Sequence, residues 1–244
     1  MLTALTWNVW FGGHRFEERC QALVDEIGHA GADLVALQEV TPELLAHLTA
    51  APWASGYELS DATGATLGDY GVLILSRLPL ARVELHALPT TMGRGLLMAE
   101  VEHAGAPLTF ATVHLESLGE ADVRVRQLAR IFALLTRRAG DALLVGDMNF
   151  DHGAEPETSA LDPAFTDVWP ALHPDDTGYT VDSEVNLMRY EVKSKLTRKR
   201  IDRVFARGDL RPAAIELVGA RPVGGDETLF PSDHFGLLAR FLKP

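Results

Sequence analysis

The chain has 244 residues, 47% of them hydrophobic and 23% charged, which excludes a disordered tail or a fibre and fits a single α/β domain over residues 1–244. No stretch approaches the ~20 apolar residues of a membrane span, Cys20 is the only cysteine, and the formal net charge is −12. That excludes an internal disulfide framework and a Cys-based zinc site, and makes the chain as a whole a poor non-specific binder of nucleic acid.

In chain order, residues 2–9 form a short apolar strand. Residues 15–30 place Phe16, Cys20, Leu23, Val24 and Ile27 on one helical face, so Cys20 reads as core. Gly31 ends that helix, and residues 33–37 form a buried strand. Thr41-Pro42 has the form of a cap followed by proline at the first helical position, opening a helix through Leu48. Strands follow near residues 57–59, 72–76, 81–87, 96–101 and 108–114. Val125, Leu128, Ala129, Phe132 and Leu135 mark another amphipathic helix, and residues 142–145 another buried strand. From 150 to 199 the prolines at 156, 163, 170 and 174 and Gly178 predict a mostly irregular, functional or mobile stretch. Strands at 201–206, 213–218 and 236–241 close the chain. The pattern predicts two packed sheets with helices outside. The N-terminus has no basic segment ahead of an apolar run, so a cytoplasmic protein without a signal peptide is expected.

The charge is uneven. Residues 1–122 hold 5 basic and 16 acidic residues, and residues 123–244 hold 17 and 18. Arg189, Lys193, Lys195, Arg198, Lys199, Arg200 and Arg203 fall within fifteen residues. Such a cluster reads as a solvated face, or as a contact for a short anionic substrate.

Polar residues gather at strand ends. Asn8 ends the first strand, Gln38-Glu39 the second, His114 the strand at 108–113, and Gly146-Asp147-Met148-Asn149 the strand at 142–145. Ser232-Asp233-His234 precedes the last strand, and Asp202 opens another. One such residue is commonly a loop cap or a satisfied structural group, but so many at strand ends point to one crevice. Oxygen ligands without cysteine suit Mg²⁺ or Mn²⁺, and Glu39 fits as a carboxylate ligand. Phosphodiester hydrolysis needs a base, for which Asp147 is placed, with Asn149 holding phosphate or water. His114 and His234 are donors to phosphoryl oxygens, and Asp202 is a candidate to orient His234.

Thr6-Trp7-Asn8, Leu37-Gln38-Glu39, His114-Leu115-Glu116-Ser117, Gly146-Asp147-Met148-Asn149 and Ser232-Asp233-His234 occur in the order of the endonuclease/exonuclease/phosphatase superfamily, which the chain resembles over residues 6–240. The resemblance implies a four-layered α/β sandwich, two packed mixed β-sheets flanked by helices, and Mg²⁺-dependent phosphoesterase activity with Mn²⁺ as a substitute. Arg126-Gln127-Leu128, Gly178-Tyr179-Thr180, Asn186 and the run Arg200-Ile201-Asp202-Arg203-Val204-Phe205 resemble the tyrosyl-DNA phosphodiesterase 2 family within it. That implies hydrolysis of 5′-phosphotyrosyl or related 5′-end bonds of nucleic acid in DNA repair, with the strand single near the cut. By resemblance, Asn8 and Asp233 join Glu39 around the metal, and Ser117 joins His114 and His234 on the phosphate. Arg189 and Lys193, in the segment 177–199, are expected to hold the strand. Where family members carry an arginine after Gly-Asp-x-Asn this chain has Asp151, and where they carry a tryptophan after Tyr-Thr it has Val181. Arg124, Arg126 and Arg189 are the cations considered as replacements.

Two other readings stay open. One is another superfamily phosphoesterase: an endonuclease or exonuclease, or a small-molecule or lipid phosphatase. The acidic first half argues against a duplex nuclease, and no hydrophobic hairpin or basic amphipathic helix suggests a membrane partner. The other is a non-catalytic binding domain, disfavoured because every expected catalytic position is filled. No obligate protein partner is expected.

Overall fold

The computed structural model describes residues 1–242. In chain order the strands are β1 (Leu2–Asn8), β2 (Leu34–Val40), β3 (Glu58–Leu59), β4 (Gly71–Ser76), β5 (Arg82–Ala87), β6 (Gly95–His103), β7 (Ala106–His114), β8 (Asp141–Asp147), β9 (Thr166–Asp167), β10 (Val181–Asp182), β11 (Arg198–Lys199), β12 (Asp202–Arg207), β13 (Arg211–Val218) and β14 (Gly236–Leu242). The helices are α1 (Phe16–Ala30), α2 (Pro42–Ala50), α3 (Ala121–Leu135), α4 (Val168–Leu172) and α5 (Leu187–Lys193). Two six-stranded mixed sheets form, ordered β13-β14-β1-β2-β4-β3 and β5-β6-β7-β8-β12-β9.

Alternation along each strand explains the layers. Leu2 and Ala4 of β1, Leu34 and Ala36 of β2, Phe110 of β7, Leu143 and Val145 of β8 and Val204 of β12 meet in the core between the sheets. The opposite face of the first sheet, with Leu5, Trp7, Val35 and Leu37, packs on Cys20, Leu23, Val24 and Ile27 of α1 and on α2. The outer face of the second sheet takes Leu128, Ile131, Phe132 and Leu135 of α3. The four layers are as expected, and Cys20 is core. Thr41 caps α2 by accepting the Leu44 N–H, with proline at the helix start.

The same alternation places the polar residues. Continuing β1 inward past Leu2 and Ala4 gives Thr6 and Asn8; β8 past Val145 gives Asp147; β7 past Phe110 gives Thr112 and His114. Register sets Asn8 beside Gln38, His114 beside Asp147, and Asp147 beside Asp202. One end of the inter-sheet space is therefore apolar and the other polar. Gln38 spans it, donating to Thr6 in its own sheet at 3.1 Å and to Thr112 in the other at 3.0 Å.

The stretch 150–199 is less irregular than expected. It contains β9, α4, the antiparallel pair β10–β11 and α5. The Asn186 side chain caps α5 by accepting the Arg189 N–H, and Met188 anchors it beside Trp10, Leu229, Phe230 and Phe235. Elements of two to seven residues are too short to show a hydrophobic period.

Candidate active site and metal centre

The motifs first hold one another. The Trp7 indole donates to the His234 carbonyl at 2.9 Å, and the Ser232 hydroxyl donates to the Asn8 carbonyl at 2.6 Å. The buried Thr180 hydroxyl accepts the N–H groups of Ile201 and Asp202, and the Thr180 carbonyl accepts the N–H of Phe235. Tyr-Thr thus ties the start of β12 to the segment that carries His234. Gly146 has φ +131°, and a Cβ there would lie 2.1 Å from the Val113 carbonyl oxygen, so β7 and β8 approach this closely only with glycine. Glu39 and Asn149 have φ +64° and +55° without being glycine. Glu39 sits where the β2–β4 register shifts, a bulge that re-aims a side chain.

Asp147 is buried. Its Oδ2 accepts from Asn8 Nδ2 at 2.9 Å and lies 3.5 Å from His114 Nε2, and its Oδ1 accepts the Asn149 N–H at 2.8 Å. Burial, reinforced by the charge of Asp202, raises its pKa to about 7. Asp202 is fully buried and accepts from His234 Nδ1 at 2.8 Å. Burial alone would lower the His234 pKa, but the Asp202 charge and hydrogen bond outweigh it and raise it to about 10. His234 is therefore an imidazolium. His114 is the reverse: burial, then the Arg94 charge, hold it well below its usual range. Arg94 Nη1 lies 3.1 Å from His114 Nδ1. A neutral ring accepting there carries its proton on Nε2, which faces Asp147 and, at 3.9 Å, Glu39.

Glu39 Oε1 accepts from Asn8 Nδ2 at 3.2 Å, and Oε2 from the Phe11 N–H at 3.1 Å. Burial and the nearby Asp233 charge raise its pKa. Among the described residues no lysine or arginine pairs with Glu39. An all-oxygen carboxylate set with an uncompensated member fits a hard divalent cation. Asp147, Asp202 and His234 also bring ligand atoms within 4.8 Å of one another, but the His234 imidazolium already supplies positive charge there. Glu39 is the better metal position. Asn8 spends its Nδ2 on two carboxylates while its Oδ1 accepts the Trp10 N–H at 3.0 Å, so here it bridges Glu39 and Asp147. Asp233 Oδ2 pairs with Arg189 and lies 3.8 Å from Lys193, and its Oδ1 is 4.0 Å from His234 Nε2.

Asn8, Glu39, His114, Asp147, Asn149, Asp202, Asp233 and His234 thus occupy one site. Ser117 joins through Arg94, whose Nη2 donates to Ser117 Oγ at 2.9 Å. Arg189 and Lys193 reach the rim on Asp233. The Asp151 carboxylate accepts the Arg200 N–H at 3.0 Å, and Val181 is buried in β10. Arg124 is no phosphate ligand: it is buried, paired with Glu157 at 2.7 Å and donating to the carbonyls of Glu116 and Leu118. Sequence reasoning missed Arg94. Its signal was present, since Arg94, flanked by Gly93 and Gly95, is one of only 5 cations in the first 122 residues. Arg94 also faces Tyr70, at 5.7 Å, and Tyr70 stacks on Phe11 at 4.5 Å. Arg94, His114 and Tyr70 line a cavity of about 370 Å³ with Leu67, Leu88 and Leu97.

This fold and this cluster define a class: the chain belongs to the endonuclease/exonuclease/phosphatase family, matched over residues 5–234. It is similar to tyrosyl-DNA phosphodiesterase 2 of Gallus gallus, with 31% identity over 97% of this chain and 66% of that protein. The counterpart from Xenopus laevis is 30% identical over 98% of this chain and 66% of its own length. The chain therefore spans slightly less than two thirds of these relatives. The crystal structure of Danio rerio tyrosyl-DNA phosphodiesterase 2 with a single-strand DNA product superposes with a TM-score of 0.86 and 26% identity, covering 99% of both chains.

Proposed function

We propose that the chain is a divalent-metal-dependent phosphodiesterase that hydrolyses 5′-phosphotyrosyl or related 5′-end bonds of nucleic acid, as in DNA repair. One observation carries the reading. A neutral His114, a cationic His234 and the Asp147 carboxylate converge beside the Glu39 carboxylate, which no lysine or arginine pairs with among the described residues, in a chain about 30% identical to tyrosyl-DNA phosphodiesterase 2.

Asp147 accepts the proton of the attacking water, and its raised pKa makes it a stronger base than an ordinary aspartate. Asn149 fixes that carboxylate through its N–H. His114 Nε2–H, His234 Nε2–H and Arg94 donate to phosphoryl oxygens as negative charge grows there, with Ser117 beside Arg94. Asp202 holds His234 in its charged form. Glu39 would hold Mg²⁺ or Mn²⁺ with Asn8 against it, and Asp233, whose Oδ2 is taken by Arg189, would join it through Oδ1. When bound, the ion supplies positive charge to the phosphoryl oxygens. The partner is a nucleic acid bearing a 5′ adduct or end, single-stranded near the cut.

The test is a substrate panel with Mg²⁺ and with chelator: 5′-tyrosyl DNA, 3′-tyrosyl DNA, abasic duplex, plain single strand and a soluble phosphomonoester. Chelator-sensitive cleavage of 5′-tyrosyl DNA is expected. Full activity in EDTA rejects the metal, and preference for another panel member rejects the substrate.

A further inference from the structure

The tetrapeptide His114-Leu115-Glu116-Ser117 brings His114 and Ser117 to the site, but its third residue is engaged elsewhere. Glu116 is fully buried. Its Oε1 accepts the Thr91 N–H at 2.8 Å and the Thr91 hydroxyl at 2.5 Å. Its Oε2 accepts the Thr90 hydroxyl at 2.5 Å and Gln127 Nε2 at 3.3 Å. Burial would raise its pKa, but the hydrogen bonds from Thr90 and Thr91 outweigh it and lower the pKa, so this acceptor stays ionised. Its own backbone is held as well. The Glu116 N–H donates to Gln127 Oε1 at 2.9 Å, and its carbonyl accepts Arg124 Nη1 at 3.0 Å.

Thr90 passes this order on. A hydroxyl has one hydrogen and two lone pairs. Thr90 gives its hydrogen to Glu116 and accepts the N–H of Met92 at 2.9 Å and of Arg94 at 3.1 Å. The turn is closed by Leu88 N–H on the Arg94 carbonyl and by Gln127 Nε2 on the Pro89 carbonyl. From it Arg94 reaches back to His114 and Ser117, the two ends of the tetrapeptide that holds Glu116. An arginine side chain has much rotamer freedom, so a fixed guanidinium needs a fixed backbone beneath it.

We infer that Glu116 is a positioning residue: through the Thr90 and Thr91 hydroxyls it fixes the turn at 88–95 so that Arg94 stands beside His114 and Ser117. This rests on the phosphodiesterase reading, in which those three groups meet the scissile phosphate. A merely structural Glu116 would support stability and leave the contribution of Arg94 unchanged, whereas a positioning Glu116 loses its effect once Arg94 is gone.

The test is a double-mutant cycle in the full chain. Wild type, Glu116→Ala, Arg94→Ala and the double variant are compared in kcat/KM on a 5′-tyrosyl oligonucleotide with Mg²⁺. The same four are compared in calorimetric affinity for thymidine 5′-monophosphate. Arg94→Ala is expected to lower kcat/KM on the order of 100-fold, as loss of a charge-stabilising donor does. Glu116→Ala is expected to cost at least ~10-fold by misplacement, and to add less than ~3-fold when Arg94 is absent. Should Glu116→Ala fail to fold, Thr90→Val carries the cycle, with a smaller loss in the same direction that Thr90→Ser, retaining the hydroxyl, avoids. Losses that multiply, or wild-type rates in Glu116→Ala or Thr90→Val, overturn the inference. A wild type that leaves 5′-tyrosyl DNA uncut instead rejects the proposed function, and the cycle is then read in nucleotide affinity. Coupling there still supports the role of Glu116, and independent effects still overturn it. A wild type that neither cleaves the substrate nor binds the nucleotide overturns both.

Discussion

The two imidazoles of the site carry different charges: burial favours the neutral ring in both, the Arg94 charge adds to that at His114, and the Asp202 carboxylate overrides it at His234. His234 meets the Asp202 carboxylate, and His114 meets the Arg94 guanidinium. One histidine becomes a cation and the other a neutral donor. Asp202 and His234 therefore act as one unit. Asp202→Asn with His234→Ala should be little worse in kcat/KM than His234→Ala alone; multiplicative losses would show that the two do not cooperate. The sign of the pH dependence follows from Asp147. A base must be deprotonated, so activity falls as pH drops through the Asp147 pKa, which is raised to about 7. The acid limb of the kcat/KM profile is expected above the ordinary aspartate range near 4, and a profile flat down to that range would contradict it. Glu39 gives a readout without turnover. A buried carboxylate near Asp233, with no lysine or arginine paired to it among the described residues, is unfavourable. Glu39→Gln should raise the metal-free Tm while losing the Mg²⁺-induced Tm increase of the wild type. A Mg²⁺ shift retained in Glu39→Gln would move the metal elsewhere.

At the scale of elements, the site is a consequence of strand alternation. Asn8, His114 and Asp147 are the last residues of β1, β7 and β8, and each continues a row of inward apolar side chains. This was legible in the sequence, because a polar residue closing an apolar strand has one direction to point. The contacts of Arg94 were not, since a guanidinium flanked by glycines is visible in the sequence but its reach to His114 and Ser117 spans 20 and 23 positions and leaves no local pattern. The role of α5 was only partly legible. The basic run at 189–200 suggested strand contacts, but Arg189 pairs with buried Asp233, whereas the Lys193 side chain is 45% exposed. Arg189→Ala is thus expected to impair cleavage of both a long 5′-tyrosyl oligonucleotide and a small tyrosyl-phosphodiester mimic, through Asp233. Lys193→Ala should raise KM on the long substrate alone. Equal behaviour of the two variants would refute this division.

Across the whole molecule, the pairing order of the sheets lies beyond local pattern. The first sheet joins β1 to β14 and the second joins β8 to β12, and such long-range pairings leave no periodic trace in either strand. Charge distribution, by contrast, is read directly and constrains substrate binding. With −12 overall and 16 of the 34 acidic residues in the first half against 5 cations, the chain as a whole disfavours a polyanion, and its densest run of cations lies at 189–203. Even there several cations are engaged. Arg189 holds Asp233, Arg198 bridges Asp182 and Glu184, and Arg200 and Arg203 share Asp167. Lys193, Lys195 and Lys199 are exposed on the same strap. Two or three phosphate contacts is the number this surface supports. Each released contact contributes about −0.7 to the slope of log affinity against log salt for a single strand, so the total slope is expected near −1.4 to −2.1. Measured by titrating KCl against a catalytically slowed Asp147→Asn variant and a 5′-phosphorylated single strand, a slope steeper than about −4 would require a broader cationic face than the run at 189–203 supplies. A slope of zero would mean that the strap touches no phosphate, and that the site selects its substrate by the 5′ end alone.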